Sequence, residues 1–160
     1  MLHIVAFNVA LAGCLVLSIR AGGGPEKLAM LSQVFAGILT AISAHFLPHV
    51  VGFATLAGAV AAIDATLLVV LTSIALKANR LWTIVLAGLQ FSTVLVHLSK
   101  AAYPALPAAS YGIFAQFWAW PMLLATALGT WRHRTRVRKE GDERDWKPLW
   151  PHSYQKNLPN

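Results

Sequence analysis

Apolar residues run through the first four-fifths of the chain in long stretches, interrupted at intervals by a charge, a proline or a glycine cluster. A helix needs roughly 20 apolar residues to cross ~30 Å of hydrocarbon. Cut at these interruptions, the pattern predicts five transmembrane helices over residues 2–19, 28–47, 50–76, 81–98 and 108–131. Arg20 closes the first, and Gly22-Gly23-Gly24-Pro25 follows as a turn, since glycines and proline do not propagate a helix. Pro48, between His45 and His49, marks the turn between the second and third. Residues 28–76 are too long for one crossing, so two helices are expected there. Lys77-Ala78-Asn79-Arg80 separates the third from the fourth, and Tyr103-Pro104 with Pro107 makes a stiff loop before the fifth. The fold class is therefore all-α: a membrane bundle over 1–131, followed by a tail over 132–160.

Composition agrees. Of 160 residues, 57% are apolar and 12% charged, against about 25% charged in soluble domains. Before residue 132 the only acids are Glu26 and Asp64, and the only Lys/Arg are Arg20, Lys27, Lys77, Arg80 and Lys100. The other eight Lys/Arg lie in the tail, so the net charge of +7 belongs mostly to it. With the N-terminus outside and the tail cytoplasmic, twelve Lys/Arg fall inside and Lys100 alone outside. Trp82 and Trp131 then stand at the inner boundary, and Tyr103 and Tyr111 near the outer one. Basic residues following directly on an apolar span suit anionic headgroups better than nucleic acid, which is not expected as a partner. Short loops point to a multi-pass protein of a bacterial inner membrane.

Within the apolar body, Asp64 is the one acid inside a span. A carboxylate there costs ~2.5–3.5 kcal/mol or more, so it should face the bundle interior. Asn8, Gln90, Ser92 and Thr93 are candidate partners at similar depth. It reads either as a clasp between helices or as a proton or cation site. Ala54, Gly58, Ala62 and Thr66, spaced by four, form a small-residue ridge on which another helix could pack closely.

Three further groups carry candidate chemistry. His3, His45, His49 and His97 all fall toward the outer side, and neutral imidazoles can hold a metal or haem iron. Equally, histidines at helix ends reach to water. Phe114, Phe117, Trp118 and Trp120 precede Pro121, which leaves the Phe117 carbonyl without its helical partner. A kink there could shape a pocket for a quinone or lipid, or serve only as bulky packing. Arg132, Arg134, Arg136, Arg138 and Lys139 would touch anionic headgroups at the cytoplasmic face, or simply anchor the last span. Trp146, Leu149, Trp150 and Tyr154 are too apolar for a solvating tail and should dock on the chain's own loops, a second copy or another protein. Cys14 sits alone in the first span, where no intrachain disulfide can form.

No catalytic signature is present: no His-Glu-x-x-His, no phosphate loop, no Gly-x-Ser-x-Gly. The expected function is accordingly not enzymatic. The leading expectation is a small membrane protein acting through association, as an accessory subunit or a homo-oligomer. The alternatives are a homo-oligomeric channel or transporter with Asp64 as its polar determinant, and a redox protein binding haem, metal or quinone.

Overall fold

The computed structural model describes residues 2–50, 53–141 and 145–147, the side chains of 2–4, 47–50, 53–55 and 140 excepted. It is all-helical: α1 (Leu2–Ala21), α2 (Gly24–Val50), α3 (Phe53–Lys77), α4 (Leu81–Ala102), α5 (Ala108–Phe117) and α6 (Ala119–Glu140). Four segments are long and apolar enough to cross a membrane: Gly24–Phe46, Leu56–Lys77, Leu81–Ala102 and Ala108–Lys139. The last is α5 and α6 together. A shorter apolar helix, Val5–Ala21, lies within α1. At 1.5 Å of rise per residue, 20 residues span ~30 Å, so α1 approaches the same length.

The helices form a ring. α1 packs on α2, α2 on α3, α3 on α4, α4 on α6, and α6 returns to α1, with α5 beside α4. The distribution of side chains is that of a bundle in lipid. Large apolar residues point outward on every helix, among them Val9, Phe35, Val69, Phe91, Ile113 and Leu124. Buried positions include Ser18, Gln33, Thr83, Gln90, Thr93, Thr126 and Thr130. Hydrocarbon is as apolar as leucine, so packing and interhelical hydrogen bonds, rather than apolar burial, hold such helices together. Here Ser18 and Thr130 hydroxyls meet at 3.2 Å between α1 and α6. Gln33 Nε2 on α2 donates to Thr126 Oγ1 on α6 at 2.9 Å.

Several boundaries differ from those the sequence predicts: α2 starts at Gly24, so Gly24 and Pro25 belong to its first turn and only Gly22 and Gly23 separate it from α1, and α4 runs on to Ala102. α2 continues through Pro48 to Val50, so Pro48 does not itself mark the turn. Proline lacks the N–H that would bond the Ala44 carbonyl, and α2 ends two residues later. The fifth span is broken at Trp118, three residues before Pro121, where the ring forbids a regular bond to the Phe117 carbonyl. Finally, α6 runs nine residues past Trp131, so Arg132 to Lys139 are helical.

The tail returns to the bundle. Asn79 N–H donates to the Asp145 carbonyl at 3.3 Å, and Lys147 N–H to the Lys77 carbonyl at 2.9 Å. Trp146 lies against Gly24, where an added Cβ would stand 3.0 Å from the indole nitrogen. Of the tail occupants the sequence admits, Trp146 takes the chain's own loops. Leu149, Trp150 and Tyr154 lie outside the described residues.

Candidate functional site

The polar residues of α3, α4 and α5 converge on Asp64. Leu86, Gln90, Thr93 and His97 fall on one face of α4 at spacings of three and four, and all are buried. That face meets the Asp64 side of α3. Gln90 Nε2 donates to Asp64 Oδ1 and to the Asp64 carbonyl, both at 3.0 Å. His97 Nε2 lies 2.7 Å from Asp64 Oδ2. On the far side of the ring, His97 Nδ1 lies 2.8 Å from the Tyr111 hydroxyl on α5. The two rings meet edge to face, with centroids 5.6 Å apart. Gln90, His97 and Tyr111 are nearly inaccessible, and the Asp64 side chain is 18% exposed.

This is a row of three titratable groups: phenol, imidazole, carboxylate. With hydrogen on Nε2, the neutral imidazole donates to Asp64 and accepts from Tyr111. With one more proton both ring nitrogens donate, and the Asp64–His97 pair has no net charge. The pair thus keeps its hydrogen bonds with or without the extra proton. Depth is graded as well. Tyr111 is ~5 Å of helix rise from the start of α5, His97 ~8 Å from the end of α4, and Asp64 ~12 Å inside its span.

The other residues singled out in the sequence fall elsewhere. Asn8 is on the exposed side of α1. Ser92 and Thr93 hydroxyls bond within α4, to the carbonyls of Gly88 and Leu89. Gly58, Ala62 and Thr66 are exposed, and nothing lies within 4 Å of a Cβ built on Gly58. The Ala54 side chain is outside the described residues. Ala62 and Thr66 line a shallow apolar groove of about 240 Å³ with Phe35, Leu67 and Val70.

Among the candidate histidine ligands, His97 is committed to Asp64 and Tyr111, whereas His45 is exposed, its ring edge-on to Phe46. His3 and His49 side chains lie outside the described residues. Phe114, Phe117 and Trp120 face outward, Trp118 and Pro121 are half-buried, and Trp120 meets Phe7 of α1 edge-on at 5.4 Å. Arg132, Arg134, Arg136, Arg138 and Lys139 are all exposed on α6.

A second polar cluster forms at the opposite end of the bundle. Glu26, fully buried in the first turn of α2, accepts from Gly23 N–H at 3.2 Å. Arg80 reaches it at 3.4 Å and reaches Asp145 of the tail at 2.7 Å. Asp145 also accepts from Gly24 N–H at 2.7 Å, capping α2 from the far end of the sequence. Glu26, His133 and Asp145 bring ligand atoms within 4.8 Å of one another, but the Arg80 guanidinium already serves both carboxylates. That cluster is a structural clasp.

No family model, curated protein or solved structure matches the chain. Its chemistry is therefore read from its own residues, and the deciding observation is the Asp64–His97–Tyr111 row inside a multi-pass membrane bundle.

Proposed function

We propose that the protein translocates protons, with Asp64 and His97 as the proton-holding pair and Tyr111 as the group linking them to the loop between α4 and α5. The observation that carries this reading is the 2.7 Å contact of His97 Nε2 with Asp64 Oδ2 within the spanning helices. A lone acid is a poor proton pathway, and two hydrogen-bonded titratable neighbours supply what it lacks. By the distribution of Lys and Arg, Tyr111 stands toward the outer face and the tail toward the cytoplasm. The test is proton entry into liposomes of purified protein, driven by a potassium-diffusion potential and read with an internal pH dye. Entry lost in Asp64→Asn and in His97→Gln is expected. No entry with the wild-type chain, or equal entry with Asp64→Asn, overturns the proposal.

A second reading, association, is favoured by a different observation. The ridge of Gly58, Ala62 and Thr66 is open beside an apolar groove, and small residues let helix backbones approach closely in lipid. A homo-oligomer packed through α3 would cover it. In a Cys14→Ala background, Ala62→Cys should cross-link into dimers in native membranes. The accessory-subunit form of the reading predicts instead a foreign protein held stoichiometrically after mild detergent extraction.

A further inference from the structure

α1 stops at Ala21, whereas its neighbour α6 continues to Glu140. The step between them opens a groove of about 720 Å³. Its walls differ in character along its length. Val16 and Leu17 give an apolar floor, beside the level where Ser18 and Thr130 join the two helices. Beyond this level stand Arg20 from α1 and His133, Arg134 and Arg138 from α6. Arg134 and Arg138 are one turn apart on the same face. Among the described residues no carboxylate lines the groove.

We infer that this groove binds one anionic phospholipid, its phosphate headgroup held by Arg20, Arg134 and Arg138 and an acyl chain laid on Val16 and Leu17. Charge complementarity selects the anion. Basic pockets between spanning helices hold such headgroups, whereas a charge run on one helix attracts the whole leaflet without a site. Here the cations come from two helices and converge on a single concave surface. Guanidinium is the group best shaped for a phosphate's oxygens. The apolar floor beneath the cations separates a lipid from free phosphate, which has nothing to lay there. The inference is independent of the proton pathway, which lies among α3, α4 and α5.

The test is native mass spectrometry of the detergent-purified chain titrated with dioleoyl phosphatidylglycerol, dioleoyl phosphatidylcholine or inorganic phosphate. One phosphatidylglycerol per chain should be retained, at concentrations where phosphatidylcholine is not. The triple variant Arg20→Gln/Arg134→Gln/Arg138→Gln should weaken retention at least ~10-fold, given the contribution of each surface cation. The control pair Arg132→Gln/Lys139→Gln, off the groove, should leave it within ~2-fold. Equal retention of both lipids overturns the inference, as does equal weakening by the control pair. Full displacement of the lipid by millimolar inorganic phosphate would show a site for the free anion instead and overturns it too. If the triple variant fails to fold, lipid selectivity and phosphate competition on the wild-type chain still decide.

Discussion

His97 Nε2 and Asp64 Oδ2 stand 2.7 Å apart across the α3–α4 interface, and the same imidazole touches Tyr111 of α5 through its other nitrogen. One side chain therefore ties together three helices, and its removal differs in kind from removal of its partners. His97→Ala leaves a carboxylate with Gln90 as its remaining side-chain donor and a buried phenol without its acceptor. A loss of about 2–4 kcal/mol is expected, from orphaning buried polar groups. Asp64→Asn keeps a hydrogen-bonding group of the same shape and should cost about 1 kcal/mol. Thermal unfolding in detergent, followed by the fraction remaining monodisperse, should rank His97→Ala below Asp64→Asn.

Coupling between the two can be measured directly. In a double-mutant cycle with His97→Ala and Asp64→Ala, an interaction energy of roughly 0.5–3 kcal/mol is expected for residues in contact. Additive losses would show that the contact carries no energy of its own.

At the other end of the bundle, Arg80 and Glu26 are almost wholly buried, while Asp145 is 29% exposed. Arg80→Ala strands Glu26 as a buried, uncompensated carboxylate and should cost about 3–5 kcal/mol. Asp145→Ala leaves Glu26 paired and should cost about 1–2 kcal/mol. It should also free the tail. Chymotrypsin is expected to cut after Trp146 faster in Asp145→Ala than in the wild type, with the bundle intact.

Glycines divide by what surrounds them. A Cβ at Gly129 would lie 2.6 Å from the Trp82 indole, whereas at Gly13 and Gly88 it would meet nothing within 4 Å. Gly129→Ala is expected to destabilise by about 1–3 kcal/mol through overpacking. Gly13→Ala and Gly88→Ala should be neutral or stabilising by up to ~1 kcal/mol, because alanine fixes a helix better than glycine. Unfolding midpoints of the three variants check the order.

The number and placement of the helices were legible because apolar run length and charged punctuation are strong signals over 20 residues. Gly22 and Gly23 do separate α1 from α2, and Ala78 to Arg80 do separate α3 from α4. Proline was weaker evidence: Pro48 lies within α2, and Pro121 three residues after the break at Trp118, since proline disturbs the turn before it rather than its own position. At the site, Gln90 was legible as a neighbour of Asp64 from depth. His97 is not, because depth alone sets it with the other histidines near the outer face. Its seven-residue spacing from Gln90 places both on one helix face, and that signal was available. In the sequence Tyr111 is a boundary aromatic and no more, and its contact with His97 depends on how α5 lies across α4. The Arg80–Asp145 pair joins positions 65 residues apart, and no local pattern announces such a contact.

The closure of the ring by α6 on α1 has a consequence for biogenesis. Ser18 finds its hydroxyl partner at Thr130, 112 residues later, and Gln33 waits 93 residues for Thr126. The neighbours α2, α3 and α4 meet in order as each leaves the ribosome, but α1 and α2 carry polar groups into the lipid whose mates are not yet made. A chaperoning surface, such as the insertion machinery itself, would have to shelter those groups until the last helix arrives. Chains truncated before residue 126 should then linger at that machinery and be degraded, while chains ending after Lys147 are released.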